Sequence, residues 1–109
     1  MKKAEYSLEH KGAQTIVHVN GDIRGSDIQA FCNIIEPLRT SHCESVLIDF
    51  TQVNFIESST VGTLIHLKRT LEKAGKKMQL DLSEYVEKVF SHFGLRVVFD
   101  IIERKHSAK

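Results

Sequence analysis

The segment VLIDFTQVNFIESSTVG, residues 46–62, contains the pattern that decides the fold. Its first five residues, Val46–Phe50, are almost continuously apolar, which is typical of a strand covered on both faces. The residues NFIESST lead directly into a helical pattern, and we predict a helix over about residues 58–74 that Gly75 ends. We therefore expect Val46–Phe50 to be the central strand of a sheet on which this helix packs.

The residues at the amino-terminal end predict a β-hairpin. Tyr6–His10 and Thr15–Asn20 are short segments rich in strand-forming residues. They are joined across Lys11-Gly12-Ala13, where the glycine can adopt a turn conformation that most residues avoid.

A first helix is predicted between the hairpin and the central strand. Ser26 is followed by Gln29 at the spacing of a capping box, which predicts a helix start. Pro37 should end or kink this helix near Glu36, because proline has no N–H group to donate. The predicted core-facing residues recur at helical spacing, namely Ile28, Phe31, Cys32 and Ile35.

The residues after the second helix predict a further strand and helix. Met78–Leu82 is expected to be a strand, Ser83 to cap a third helix, and Gly94 to end it. The residues expected to face the core from the third helix are Val86, Val89, Phe90 and Phe93. We predict a last short strand at Val97–Phe99 and a terminal helix over residues 100–109.

Strands and helices that alternate with short connections indicate a single α/β domain over residues 1–109. The predicted sheet is mixed and mostly parallel, with four to five strands, an N-terminal hairpin and about four helices. The chain has 109 residues, of which 41% are hydrophobic and 27% charged, as is ordinary for one folded domain.

Charge and composition exclude several classes of function. The formal net charge is +1 and the charges are interspersed, so we expect no nucleic-acid partner. The absence of a signal-peptide core or a long apolar run predicts a cytoplasmic protein without membrane insertion. Cys32 and Cys43 are expected to be free thiols, with Cys32 in the core. The six histidines lack metal-binding spacing, so we expect no metal. We also expect no cofactor.

The second predicted helix has one apolar and one polar half. The half expected to face the core contains Thr60, Val61, Leu64, Ile65, Leu67, Leu71 and Ala74. Ser59, Gly62 and His66 lie on the other half, and Ser58 lies at the border. A glycine inside a helix lowers stability by about 0.5 to 1 kcal/mol, so an outward Gly62 favours close approach by another molecule, and the alternative is a neutral surface glycine. The cations Lys68, Arg69, Lys73, Lys76 and Lys77 are interpreted as a solvated end that complements the helix dipole.

The serines at the start of this helix allow three interpretations. Ser58 or Ser59 could be an ordinary N-cap, whose side chain accepts a hydrogen bond from a free N–H group. A nucleophilic serine is a second possibility, but Ile56 and Thr60 stand where a G-x-S-x-G elbow has glycines. The third is a serine that accepts a phosphoryl group from another protein.

The segment VLIDFTQVNFIESSTVGTLIHLKRTLEKAGKKMQL, continued by SEYVEKVFSHFGLRVVFDII, resembles the STAS domain of anti-sigma factor antagonists. The resemblance covers about residues 4–104 in order and spacing. It lies in the turn between the strand and the second helix, in Gly75, and in the closing segment Phe93-Gly94-Leu95. In this family the turn has the pattern apolar-Asp-Ser-Ser/Thr-Gly-Leu-Gly. Here Glu57 replaces the aspartate and Thr60 the first glycine, while Ser59 and Gly62 match.

The resemblance implies a regulatory protein-binding module of bacterial transcription, not an enzyme. Such a domain binds an anti-sigma factor that is also a serine kinase, and a cognate serine phosphatase restores binding after phosphorylation. Carried over, Ser58 is the phosphoacceptor. The residues expected to contact the partner are Glu57, Ser58, Ser59, Thr60, Gly62 and His66. The protein is expected to be a monomer or weak dimer. The alternative is a non-switching STAS subunit of a larger assembly, such as a lipid-transporting ABC system or a signalling scaffold.

Overall fold

The computed structural model describes residues 4–103, which form a five-stranded sheet with three α-helices. The strands are β1 (Glu5–Lys11), β2 (Gln14–Asn20), β3 (Ser45–Gln52), β4 (Lys77–Leu82) and β5 (Asp100–Ile101). The helices are α1 (Ile28–Ile35), α2 (Ser58–Lys73) and α3 (Glu84–His92). Short 3-10 turns lie at Gly25–Asp27, Glu36–Thr40 and Leu95–Val97. The predicted α/β class, hairpin and second helix are confirmed.

The strands lie in the sheet in the order in which they occur in the sequence. β1 and β2 pair antiparallel, whereas β2, β3, β4 and β5 pair in parallel. β3 is therefore the central strand, as predicted. Because parallel strands end at the same edge of a sheet, the connections that follow β2, β3 and β4 lie together there.

All three helices pack on one face of the sheet. The buried cluster takes alternate residues of the parallel strands, such as Val46, Ile48 and Phe50 of β3, and the apolar faces of α1, α2 and α3. The other face is free of helices within residues 4–103. The prediction that Val46–Phe50 is covered by the fold on both faces is therefore wrong. Leu47 is nevertheless buried on the open face, where it lies opposite Ile16 in the β2–β3 register.

The start of α1 differs from the predicted capping box. Asp27, not Ser26, is the N-cap residue, and its carboxylate accepts a hydrogen bond from the Arg24 N–H at 3.2 Å. The Gln29 side chain donates to Asn33 one turn later, at 2.9 Å. The prediction from Ser26 was wrong because a 3-10 turn precedes the helix and shifts its start. The predicted end is close, since Pro37 lies in the 3-10 turn after Ile35.

The segment after α3 was predicted incorrectly. Gly94 has φ of 69° and turns the chain into Leu95–Val97, a 3-10 turn and not a strand. The last strand is Asp100–Ile101, which pairs in parallel with Gln79 and Leu80 of β4. The fourth helix was expected to begin where this strand lies, and residues 104–109 are outside the described part of the chain. Phe99 is buried and its ring centroid lies 5.5 Å from that of Phe90.

Candidate functional site

The connection from β3 to α2 is held in place by the loop that follows β2. The Asn54 N–H donates to an Asp22 carboxylate oxygen at 3.0 Å, and Ile56 forms an isolated parallel bridge with Ile23. The Arg24 guanidinium lies 4.5 Å from the centre of the Phe55 ring, a cation–π contact. These contacts fix the position at which α2 begins.

The amino-terminal end of α2 lacks a side-chain cap. Glu57 is the N-cap residue, with extended backbone, and its side chain makes no capping hydrogen bond. Its carbonyl oxygen accepts from the N–H groups of Thr60 at 3.0 Å and Val61 at 3.2 Å, so the N–H groups of Ser58 and Ser59 precede the intrahelical hydrogen bonds. The interpretation of either serine as an ordinary N-cap is therefore wrong, because both lie inside the helix.

The two serines differ in their contacts. Both are exposed, and the Ser59 hydroxyl donates to a Glu57 carboxylate oxygen at 3.4 Å. Within residues 4–103, the Ser58 hydroxyl has no hydrogen bond. A nucleophilic serine is activated by a base in hydrogen-bond contact, and the described residues supply none to Ser58.

The other predicted contact residues are distributed over two sides of α2. Gly62 is exposed, and a Cβ placed on it would meet no other atom within 4 Å, so packing inside the chain does not require glycine there. His66 is also exposed, with its Nε2 atom 3.8 Å from a Glu36 carboxylate oxygen. Thr60 is only 1% exposed and packs on the core side, as the helical projection predicts. It is therefore inaccessible to a partner in this conformation.

An apolar cleft lies directly beside Ser58, between the start of α2 and the end of α3. Its volume is about 380 Å³, and it is lined by Ile56, Glu57, Ser58, Val61, Val89, Phe93 and Leu95. Sequence reasoning missed this cleft, because its two walls are about thirty residues apart along the chain. In the sequence, the segment Phe93-Gly94-Leu95 was interpreted only as part of the resemblance to a family.

Phe93 is the large apolar residue of this cleft whose side chain is exposed to solvent. The side chain was predicted to face the core, but Phe93 is 69% exposed. The helical spacing fails there because α3 ends at His92, and Phe93 is already the C-cap residue before the turn at Gly94. Its ring packs edge-to-face against His92, with 4.9 Å between centroids. A large apolar side chain thus remains in solvent in the cleft that Ser58 also lines.

A cluster of polar side chains lies on the open face of the sheet, and the sequence did not predict it either. Both ring nitrogens of His18 donate to carboxylates when the ring is protonated, with Nε2 2.8 Å from a Glu9 oxygen and Nδ1 2.8 Å from an Asp49 oxygen. Thr51 donates to the other Asp49 oxygen from its N–H at 2.9 Å and its hydroxyl at 2.6 Å. Only the strand register brings these residues together, since His18 lies opposite Asp49 in the β2–β3 pair.

The contacts within this cluster shift its pKa values. Hydrogen bonds to Glu9 and then Asp49 raise the pKa of His18 above its ordinary 6.5. The hydrogen bond to His18 lowers the pKa of Glu9 below 4.5. Burial by itself would raise the pKa of Asp49, but hydrogen bonds from Thr51 and His18 outweigh it and lower that pKa below 3.8. The cluster therefore favours a charged imidazole between two carboxylates.

The cationic end of α2 also differs from its prediction. Lys76 is buried, and its ammonium group donates to the Ser41 carbonyl oxygen at 2.7 Å and to the Cys43 carbonyl oxygen. It therefore fixes the loop before β3 and is not part of a solvated patch. Cys32 and Cys43 are free, as predicted, and both are half-buried, so Cys32 is only partly in the core.

No cluster of three potential metal ligands occurs among residues 4–103. In the same part of the chain, every helix is too short or too polar to cross a bilayer.

Comparisons with known proteins place these features in context. The family described as "Mlab, STAS domain" matches residues 6–102. A search of curated proteins gave no match. An anti-sigma factor antagonist from Mycobacterium paratuberculosis has a similar solved structure, with a TM-score of 0.82 at 17% identity, covering 94% of this chain and 87% of that one.

Two structures of SpoIIAA are also similar. The anti-sigma factor antagonist SpoIIAA in its unphosphorylated form gives a TM-score of 0.74 at 19% identity, over 92% of this chain and 90% of that one. The Bacillus cell fate determinant SpoIIAA in its phosphorylated form gives 0.68 at 19% identity, over 92% and 93%. At these identities, the structural likeness establishes the fold.

Proposed function

The chain belongs to the STAS domain family, and from this premise we propose that it acts as an anti-sigma factor antagonist switched at Ser58. In this proposal the unphosphorylated domain binds an anti-sigma factor in the cytoplasm and so frees a sigma factor. That anti-sigma factor is a serine kinase, which phosphorylates Ser58 and thereby releases the complex. A cognate serine phosphatase restores binding.

One observation carries the proposal: the Ser58 hydroxyl is exposed, has no hydrogen bond within residues 4–103, and belongs to a residue that lines an apolar cleft. A kinase needs an accessible hydroxyl, and a protein partner needs apolar surface to bury. Both requirements are met within one turn of α2. The phosphorylated form named for a similar structure adds support by analogy.

The free domain should tolerate a phosphate at Ser58. A phosphoserine carries about −1.5 to −2 charges at neutral pH. The end of α2 provides N–H groups that precede the intrahelical hydrogen bonds, and negative charge there is favourable by about 0.3 to 1 kcal/mol, or about 2 if partly buried. That gain opposes repulsion from the adjacent Glu57, so we expect the fold to remain intact.

The same charge should be unfavourable within a complex. If the partner inserts an apolar side chain into the cleft, water is excluded from Ser58 and an added phosphate is desolvated. An uncompensated charge buried at an interface lowers affinity by about 2 to 5 kcal/mol. At 1.4 kcal/mol per tenfold change, this corresponds to an affinity about thirty-fold to several-thousand-fold lower.

The outward Gly62 is consistent with the same docking surface. It lies one turn beyond Ser58 on the exposed side of α2, and its missing side chain leaves the helix backbone accessible. A partner could therefore approach the helix more closely than any other residue would permit. Gly62→Leu should reduce affinity for the partner while the domain remains folded.

The test begins with affinity capture of the partner from the native cell. The captured protein is then incubated with this domain and Mg·ATP, and the phosphorylated residue is mapped by mass spectrometry. We expect label on Ser58, its loss in Ser58→Ala, and its retention in the matched control Ser59→Ala. Label that persists in Ser58→Ala would contradict the site. A stable complex that never carries label would favour the non-switching subunit.

A further inference from the structure

The edge strand β1 has one side that no described residue covers. β1 is the first strand in the sheet and pairs with β2 from Glu5 to Lys11. Gly12 has φ of 59° and occupies the first position of a two-residue turn, so Lys11 and Gln14 form the hydrogen-bonded pair that closes the hairpin. Alternation along an antiparallel ladder then directs the N–H and C=O groups of Tyr6, Leu8 and His10 away from β2.

The centre of this edge is apolar. Leu8 is 44% exposed, although its cross-strand neighbour Val17 is fully buried in the core. The difference arises because the helices cover β2 but leave β1 partly open. Exposed backbone groups around an exposed leucine form a template for another strand.

The charges on β1 favour one particular partner, a second copy of the same strand. If two β1 strands pair antiparallel with Leu8 opposite Leu8, then Glu5 of each copy lies opposite Lys11 of the other. Opposite charges at such cross-strand positions are favourable. The pairing also matches the outward-facing backbone groups, because it places even-numbered residues opposite even-numbered residues.

The neighbouring registers are less favourable. An axis at Ser7 would place Glu5 opposite Glu9, and an axis at Glu9 would place the two Glu9 side chains opposite each other. Like charges in directly opposed positions are destabilising. Only the register centred on Leu8 combines an apolar centre with complementary ends.

We propose that two copies of this chain associate through β1 in an antiparallel arrangement centred on Leu8, which joins their sheets into one. The contact is short, since β1 has seven residues, and stable interfaces bury about 1,200 to 2,000 Å². The dimer should therefore be weak, with a dissociation constant in the micromolar to millimolar range. It is independent of the proposed switch, because none of the residues that line the Ser58 cleft lies on β1.

The test uses the full chain in sedimentation velocity over a wide concentration range. Glu5→Lys and Lys11→Glu each turn two attractive contacts into two repulsive contacts, and each should weaken the dimer about tenfold. An equal mixture of these two variants restores both opposite-charge contacts, so it should associate as strongly as the wild type. The recovery is specific to the register centred on Leu8.

Leu8→Pro provides a second variant. Proline removes an N–H group that faces away from β2, so the hairpin ladder is retained while pairing with another copy is blocked. Circular dichroism of each variant tests whether it is folded. A wild-type chain that stays monomeric into the millimolar range would overturn the proposal, as would a mixture of the charge variants that associates no better than either alone.

Discussion

The helices α2 and α3 both begin after a parallel strand, but the serines at their amino-terminal ends differ in their hydrogen bonds. Each follows a parallel strand of the sheet and starts with a serine within one residue of its N-cap position. Ser83 is the N-cap of α3, where its hydroxyl accepts from the Val86 N–H at 3.2 Å and donates to the Val53 carbonyl at 2.6 Å. The Ser58 hydroxyl of α2 has no hydrogen bond among the described residues.

The difference indicates which serine serves the fold and which remains available. The hydrogen-bonding capacity of Ser83 is used for one helix end and one neighbouring loop, so its replacement must affect stability. Ser58 contributes no such contact, and its replacement should affect only what the domain binds. Sequence inspection predicts Ser83 as a cap, but it does not show whether the Ser58 hydroxyl has a partner.

The largest expected effect comes from a charge at Ser58. Ser58→Asp should lower affinity for the captured partner, proposed to be an anti-sigma factor, by about thirty-fold to several-thousand-fold, because the carboxylate would be desolvated beside the cleft. Its free energy of unfolding should change by less than about 0.5 kcal/mol, as for most surface substitutions. Isothermal titration calorimetry and urea denaturation measure the two quantities.

Ser58→Ala is the control for that experiment. It removes the hydroxyl without adding charge, so it should bind the partner as tightly as the wild type. Equal affinity of the alanine and aspartate variants would contradict the proposed switch. A large loss of stability in either variant would remove the contrast with Ser83.

The second prediction concerns the structural serine. Ser83→Ala should lower the free energy of unfolding by about 1 to 2 kcal/mol, because the Val86 N–H and the Val53 carbonyl both lose a partner. Affinity for the captured partner should be unchanged under conditions where the variant is folded. Urea denaturation of Ser83→Ala beside Ser58→Ala provides a direct comparison, and equal stabilities would show that the observed hydrogen bonds do not matter.

The contrast between these helix ends also shows what sequence patterns can predict. Ser83 was predicted as a cap because it directly precedes a segment whose apolar residues recur at helical spacing, and the structure confirms it. The class, the hairpin and the central strand followed from residue periodicity and turn residues, which depend on local chemistry. Ser58 was assigned from a family resemblance, since neither its lack of a partner nor its exposure is visible in the sequence.

Features that depend on contacts between distant segments were missed. The cleft combines Val61 of α2 with Val89 of α3, and the His18 cluster depends on the register between β2 and β3. The error at Phe93 was local, because a 100° projection continues beyond the residue where α3 actually ends. Lys76 was misinterpreted because charge predicts exposure, whereas two carbonyl oxygens hold its ammonium group inside.

The third prediction concerns the third residue of each helix. Val86 is apolar at this position in α3, whereas Thr60 in α2 is buried with a hydroxyl that has no partner among the described residues. Thr60→Val replaces this hydroxyl by a methyl group of similar size, and it should raise the free energy of unfolding by about 1 kcal/mol. Urea denaturation measures the change.

Thr63→Val is the matched control. The Thr63 hydroxyl donates to the Ser59 carbonyl oxygen at 2.9 Å, so its replacement should give no gain in stability. A Thr60→Val variant that is less stable than the wild type would contradict this prediction, because it would mean that the buried Thr60 hydroxyl stabilises the fold.

The fourth and smallest effect concerns the His18 cluster. Its polar side chains, unlike Ser58, form hydrogen bonds with one another on the open face of the sheet. The folded pKa of His18 is raised above 6.5, so the stability that it contributes is fully present below about pH 6.5 and is lost as pH rises through the raised value. The pKa values of Glu9 and Asp49 are lowered, so their contribution is lost only as pH falls below about 4.

His18→Gln should therefore be less stable than the wild type at pH 5 to 6, and the difference should narrow as pH rises above 7. The effect is small because the side chains are partly exposed and salt screens their interaction. Urea denaturation at several pH values, with His42→Gln as an exposed control, measures it. A constant difference between His18→Gln and the wild type from pH 5 to 9 would mean that packing, and not a charged imidazole between two carboxylates, joins β1 to β3.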